Sequence, residues 1–130
     1  MCLQDCAAEL AKALAVVPPF DVTLREFDCF PRGKDSTMFL RPDETVATEG
    51  WQTLYHALAA LYPECVAREK FVPHLTVGQF GNAAAVKRSV AEYSSQWTPV
   101  SFTVGEVCLI SRSDFHDPFH VRHRIKLGSQ

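Results

Sequence analysis

The sequence predicts a single α+β domain in which antiparallel strands are interleaved with helices. Three observations lead there. Apolar residues recur at helical spacing in some stretches and alternate in others, so both kinds of element are present. The strand-like runs are broken by helix-like stretches and short turns, the order expected of an α+β architecture. Two distant strand segments also match each other at a constant offset. The 130-residue length favours one domain, and 47% hydrophobic with 22% charged residues allow a real core.

Residues 4 to 15, QDCAAELAKALA, are rich in Ala and Leu and predict a helix, stopped by Pro18 and Pro19. Residues 20 to 30, FDVTLREFDCF, are β-branched and aromatic and predict a strand. Pro31 to Asp35 reads as a turn, and Thr37 to Leu40 as a second strand ended by Pro42. Residues 50 to 61 place Trp51, Leu54, Leu58 and Leu61 at helical spacing. A short strand, PHLTVGQF, follows at 73 to 80, then a helix at 83 to 97 with Val86, Val90 and Tyr93 on one face. Residues 100 to 110 and 119 to 127 predict two further strands, joined by the turn segment SRSDFHDP.

An internal repeat underlies this order. With residues 20 to 30 set against 100 to 110, apolar residues coincide at Phe20/Val100, Val22/Phe102, Leu24/Val104, Phe27/Val107 and Phe30/Ile110. Thr23 matches Thr103, and Glu26 matches Glu106. Each segment follows a helix and a proline and leads through a turn into another strand. The second copy carries an extra strand ahead of its helix, PHLTVGQF. At the same offset its counterpart falls upstream of Met1.

Charge and cysteines narrow the function classes. A net charge of -2 argues against a broad non-specific nucleic-acid surface, which depends on clustered Lys and Arg. It leaves room for one RNA end held in a small site. No apolar run approaches the roughly 18 residues that span a bilayer. Acidic residues and a lysine interrupt the N-terminal apolar stretch, which makes it a poor signal peptide. The five cysteines, Cys2, Cys6, Cys29, Cys65 and Cys108, are scattered and match no zinc spacing. We read them as reduced thiols of a cytoplasmic or other reducing compartment, with Cys29 and Cys108 as small core residues.

The residues that carry chemistry are His74 and Thr76. Alternate strand residues share a face, so these two point one way, while Leu75 and Val77 point the other, under a helix. An imidazole transfers protons near neutral pH. A threonine hydroxyl beside it can donate to a non-bridging phosphate oxygen. Gly78 leaves room for a ligand or another backbone. As a bare pattern His-x-Thr is weak, since an isolated strand histidine is usually structural. The surrounding words are more specific. FVPHLTVGQF, the run VSFTVGEVCLISRSD and the ending FHVRHRIKLG resemble the C-terminal lobe of 2H phosphoesterases of the 2'-5' RNA ligase-like branch. The stretch TMFLRPDETVATEGWQTLYHALAALYPE resembles that family's middle strand and helix.

The resemblance covers nearly the whole chain and implies a 2H phosphoesterase-like fold: two pseudo-symmetric lobes around a cleft, each giving one His-x-Thr strand. On that reading the chain is an N-terminally truncated version, with residues 1–48 a remnant of the first lobe and 49–130 the second lobe. The implied activity is phosphodiesterase or ligase chemistry on RNA or nucleotide 2',3'-cyclic phosphate ends. One His serves as base, the other as acid, hydroxyls hold the phosphate, and no metal or other cofactor is required. Only His74 and Thr76 match. Ser36-Thr37-Met38, with Asp35 at the His position, is rejected as a first motif because the repeat pairs its strand with the one near residue 121. Loss of one proton-transfer group costs roughly 10²–10⁴ in rate, so a non-catalytic RNA-end or nucleotide-binding module is the alternative. A homodimer is expected to cover the missing half and bring two His74 side chains together.

The remaining candidates are weaker. Arg112, at the Ser-Arg position, is a substrate-binding candidate through bidentate phosphate contact, or else a solvated turn arginine. Phe119, Val121, His123, Ile125 and Leu127 are expected on one strand face, and His120, Arg122, Arg124 and Lys126 on the other. His123 is therefore more a packed histidine than a catalyst, and a stand-in acid only if its face borders the cleft. Lys70 is read as exposed, and Phe39 and Phe80 as core. His56 and His116 receive no role.

Overall fold

A computed structural model describes residues 2–32, 35–43, 46–65 and 71–128. It shows three helices, α1 (Leu3–Leu14), α2 (Val46–Leu61) and α3 (Ala83–Ser94). The strands are β1 (Phe20–Arg32), β2 (Asp35–Pro42), β3 (Leu75–Phe80), β4 (Val100–Val104), β5 (Glu106–Ser111) and β6 (His120–Lys126). A four-stranded sheet has the order β3-β2-β1-β4, and β5 and β6 form a second, two-stranded sheet. All pairings are antiparallel, so the α+β class holds.

The element boundaries differ from expectation at several places, and α3 ends at Ser94 rather than at 97. β1 runs on through Pro31 to Arg32, and β2 already begins at Asp35, so both strands take in residues that the sequence suggests for the turn. α2 starts four residues earlier than its periodic stretch, at Val46. Pro73 and His74 lie ahead of β3 rather than in it. The strand expected at 100 to 110 is two strands, broken at Gly105. Lys70 lies outside the described residues.

The core draws on the whole chain. Leu10 and Leu14 of α1, Phe20, Val22 and Leu24 of β1, Leu54 of α2, and Ile125 and Leu127 form one buried cluster. The amide of Gly128 donates to the Leu14 carbonyl at 3.1 Å, tying the end of β6 to the end of α1. α3 is capped by Asn82, whose side chain accepts from the Ala85 amide.

The repeat has a direct geometric expression. β1 and β4 pair as Phe20↔Val104, Val22↔Phe102 and Leu24↔Val100. Val22 and Phe102 are repeat counterparts and face each other, while Phe20 pairs with the counterpart of Leu24. A pseudo-two-fold axis therefore passes between Val22 and Phe102, normal to the sheet. α1 maps onto α3, β2 onto β6, and the β-bulge at Arg25 onto the break at Gly105. Polar contacts follow the same symmetry. Thr23 meets Ser101 at 2.8 Å, and Thr103 donates to Asp21 at 2.6 Å. Glu26 pairs with Arg41, and its counterpart Glu106 with Arg124. At the bulge, the Leu24 carbonyl accepts from the Trp97 indole at 2.9 Å, which satisfies a group the ladder leaves over. β3 precedes α3 and has no counterpart among the described residues.

A candidate phosphate-binding face

The first sheet presents Glu26, Asp28 and Phe30 of β1 and Thr37, Phe39 and Arg41 of β2 on one side. These positions alternate along their strands, and Glu26↔Arg41, Asp28↔Phe39 and Phe30↔Thr37 are direct partners. Phe39 in turn pairs with Thr76, which places the Thr76 hydroxyl on that side. The Phe30 and Phe39 rings stack at 4.2 Å, and the His74 ring meets them edge-on at 5.2 and 5.4 Å. His74 and Thr76 thus share a face, and both are exposed. Next to them, Thr37 donates to Gln79 at 2.9 Å.

His74 is held from two directions. Its ring leans on the aromatic pair, and its Nδ1 sits 2.7 Å from the Val72 carbonyl. A carbonyl only accepts, so Nδ1 carries the hydrogen and Nε2 is left as the acceptor. The segment holding Val72 is fixed in turn, because Phe71 stacks on Tyr55 of α2 at 4.6 Å. Beside this arrangement lies a cavity of about 520 Å³ lined by Asp28, Phe30, Phe39, Arg41, Trp51 and Phe71 among others. Trp51 has a buried indole N–H without a hydrogen-bond partner. None of the histidines lines the cavity. Among the described residues, no group of three His, Cys, Asp or Glu side chains is placed to hold a metal ion. No helix among them is long and apolar enough to cross a membrane.

The other sequence candidates fall elsewhere. A Cβ on Gly78 would meet the Phe80 ring at 3.2 Å, so the missing side chain admits that ring. Arg112 lies on the second sheet's hairpin, where its guanidinium rests over Phe115 at 5.0 Å and Phe119 at 4.3 Å. A register shift between Leu109 and Ile110 breaks the expected alternation of β6. His123 pairs with Leu109, two residues from buried Ile125, whereas Val121 pairs with Ile110 and is 49% exposed. His123 therefore lies on the core side, half-buried, and is not brought to His74. Leu75 and Val77, expected under a helix, are 50% and 47% exposed, because α3 packs chiefly on β1 and β2 and β3 is the sheet edge. Cys29 and Cys108 are half-buried rather than core, and the five cysteines form no disulfide. Phe39 is buried as expected, and Phe80 is half-buried.

Sequence reasoning did not assign Asp28, Phe30, Arg41 or Trp51 to the site. The available signal was that Glu26 and Asp28 take the alternate positions held before them by Phe20, Val22 and Leu24, a change from apolar to charged at the bulge.

Comparison with protein families supplies the relationship. The model of the 2'-5' RNA ligase superfamily matches residues 2–114. The chain belongs to that superfamily. The match takes in α1, both His74 and Thr76, and all strands but β6. A comparison with curated proteins finds no match. As a member of the 2'-5' RNA ligase superfamily, the chain has its His-x-Thr residues at the start of an edge strand, beside a cavity rather than within the core.

Proposed function

We propose that this superfamily member binds an RNA or nucleotide 2',3'-cyclic phosphate end over the His74–Thr76 face, with metal-independent phosphodiesterase-type chemistry. The observation that supports it is an available imidazole Nε2 and a hydroxyl on one sheet face beside an aromatic-walled cavity. With Nδ1–H committed to Val72, a neutral His74 takes a proton from an attacking water at Nε2. A second, protonated group delivers one to a leaving 2' or 3' oxygen. Thr76 donates to a non-bridging oxygen, and the aromatic wall suits a base or ribose.

One histidine fills only one of the two proton-transfer roles. In this reading a second copy in a homodimer supplies the other group. The second reading, a non-catalytic RNA-end-binding module, is favoured by a cavity lining that holds no histidine. Calorimetry with cytidine 2',3'-cyclic phosphate tests the shared claim. His74→Ala and Thr76→Ala are each expected to weaken binding about ten-fold or more, since a hydrogen bond to a charged group is worth ~1.5–3 kcal/mol. Equal binding by wild type and both variants refutes the site. Product formation over hours separates enzyme from module.

A further inference from the structure

The second sheet carries a feature that the His74 site does not use. On the side of β5 and β6 away from α1, the pairs run Glu106↔Lys126, Cys108↔Arg124 and Ile110↔Val121. The first two carry charge. Toward the hairpin the surface becomes apolar, with Ile110 50%, Val121 49%, Phe119 54% and Phe115 79% exposed. Large exposed apolar groups gathered in one place mark an interaction surface rather than ordinary scatter. Arg112 sits among them, its guanidinium over both phenylalanine rings.

The loop is built to hold this arrangement. Asp114 accepts from the backbone amides of His116 at 2.8 Å and Asp117 at 3.0 Å. Asp117 accepts from the Ser113 amide at 3.1 Å and its hydroxyl at 2.7 Å. Arg112 donates to the Phe115 carbonyl at 3.2 Å. The two carboxylates are thus turned into the loop as acceptors, while the arginine and the ring faces stay outward. Arg112 and the two rings remain on the surface, with Arg122 nearby in sequence, while His120 lies 3.5 Å from the Asp117 carboxylate. A partner complementary to this surface carries flat π-faces and negative charge together, which describes unpaired nucleotides better than an apolar peptide.

The pseudo-two-fold axis adds a second argument. An axis normal to the sheet keeps each side chain on its own side. The counterparts of Glu26, Asp28 and Phe30 are Glu106, Cys108 and Ile110, so this surface lies on the same side as the His74–Thr76 face.

We infer that Phe115, Arg112 and Phe119 form a stacking platform for an unpaired base of an RNA strand, separate from the residues that hold its end. The inference rests on the RNA reading above and deepens it, because it makes the ligand a strand rather than a lone nucleotide. The Phe115 ring takes the base on its face, the most exposed ring surface in the group. Arg112, already seated on the rings, keeps N–H groups for the adjacent phosphate.

The test uses a fluorescein-labelled single-stranded oligoadenylate of twelve nucleotides ending in a 3'-hydroxyl, followed by anisotropy with the full chain. Phe115→Ala and Phe115→Leu are expected to weaken binding about five- to a hundred-fold, the range for loss of one base stack. Phe115→Tyr is expected to retain it. This oligonucleotide lacks the cyclic phosphate assigned to the His74–Thr76 face, and Phe115→Ala is expected to leave cytidine 2',3'-cyclic phosphate bound, which keeps the platform and the end site distinguishable. Failure of wild type to bind overturns the inference, as does wild-type affinity in Phe115→Ala. Wild-type affinity in Phe115→Leu also overturns it, by showing apolar contact without stacking. So does sedimentation of the wild type as a dimer that Phe115→Ala converts to monomer, because a second copy then covers the patch.

Discussion

Replacing Gly50 by alanine sets two local rules against each other. Gly50 lies inside α2, and alanine favours a helix interior over glycine by roughly 0.5–1 kcal/mol. Propensity alone therefore predicts a more stable protein. Packing predicts the opposite. A Cβ at position 50 would fall 2.7 Å from the Phe20 Cβ and closer still to the ring. Carbon contacts settle at about 3.5–4.0 Å, so something must move by roughly 1 Å. Phe20 is 9% exposed, and its ring meets Trp51 edge-on at 5.0 Å, so α2 must lift from β1. Overpacking of this kind costs roughly 1–3 kcal/mol, leaving a net loss of about 1–2 kcal/mol after the helix gain. For a chain of this size that lowers the melting midpoint by about 3–10 °C. Thermal unfolding followed by circular dichroism and tryptophan fluorescence reads it. A midpoint equal to or above wild type refutes the claim that the glycine is there to admit Phe20.

Phe39→Leu keeps most of the buried volume but removes the stack on Phe30 and the surface against His74. Urea unfolding should show a loss of about 0.5–1.5 kcal/mol beyond the change in area. Nucleotide affinity should fall with it, and unchanged affinity would detach the His74 geometry from the ring pair. At Asp117 the Ser113 hydroxyl and amide hold the carboxyl below its ordinary value of 3.8. A depressed carboxylate contributes loop order that is present above 3.8 and is lost as pH falls through the lower folded value. The Ser113 amide resonance should follow that titration and lose it in Asp117→Asn. A midpoint at or above 3.8 contradicts the contact.

The architecture was legible because its signals are periodic. The apolar spacing of 50 to 61 and the offset between 20 to 30 and 100 to 110 both survive in the coordinates, the second as strands paired about Val22 and Phe102. The boundaries were less legible where context overrides local preference. Pro31 remains in a strand because its partner Ser36 continues the hairpin, and the run at 100 to 110 breaks at Gly105, where the apolar alternation changes phase. Of the site, the His74–Thr76 pair could be read from two-residue alternation. The cavity beside it could not, because Asp28, Arg41 and Trp51 come from three elements and meet only through the β1–β2 register and the seating of α2. His123 was placed on a continuous apolar stripe, and one shifted pair at Ile110↔Val121 was enough to divide that stripe between two faces.

The bond from Gly128 to the carbonyl of Leu14 has a consequence for the order of synthesis. α1 is made before β6, yet Leu10 and Leu14 bury themselves against Ile125 and Leu127, which come after every other element. At about 5–20 residues per second, the helix waits roughly 6–20 s on the ribosome before its partners exist. The β1–β4 pairing is delayed almost as long, since Phe20 meets Val104. Until then the nascent chain shows β1 paired with β2, and an apolar stripe on α1 that α2 covers only in part. This part of the core therefore closes only once β6 has been made, and a factor that shields α1 until then acts on the step where the chain is most exposed to aggregation.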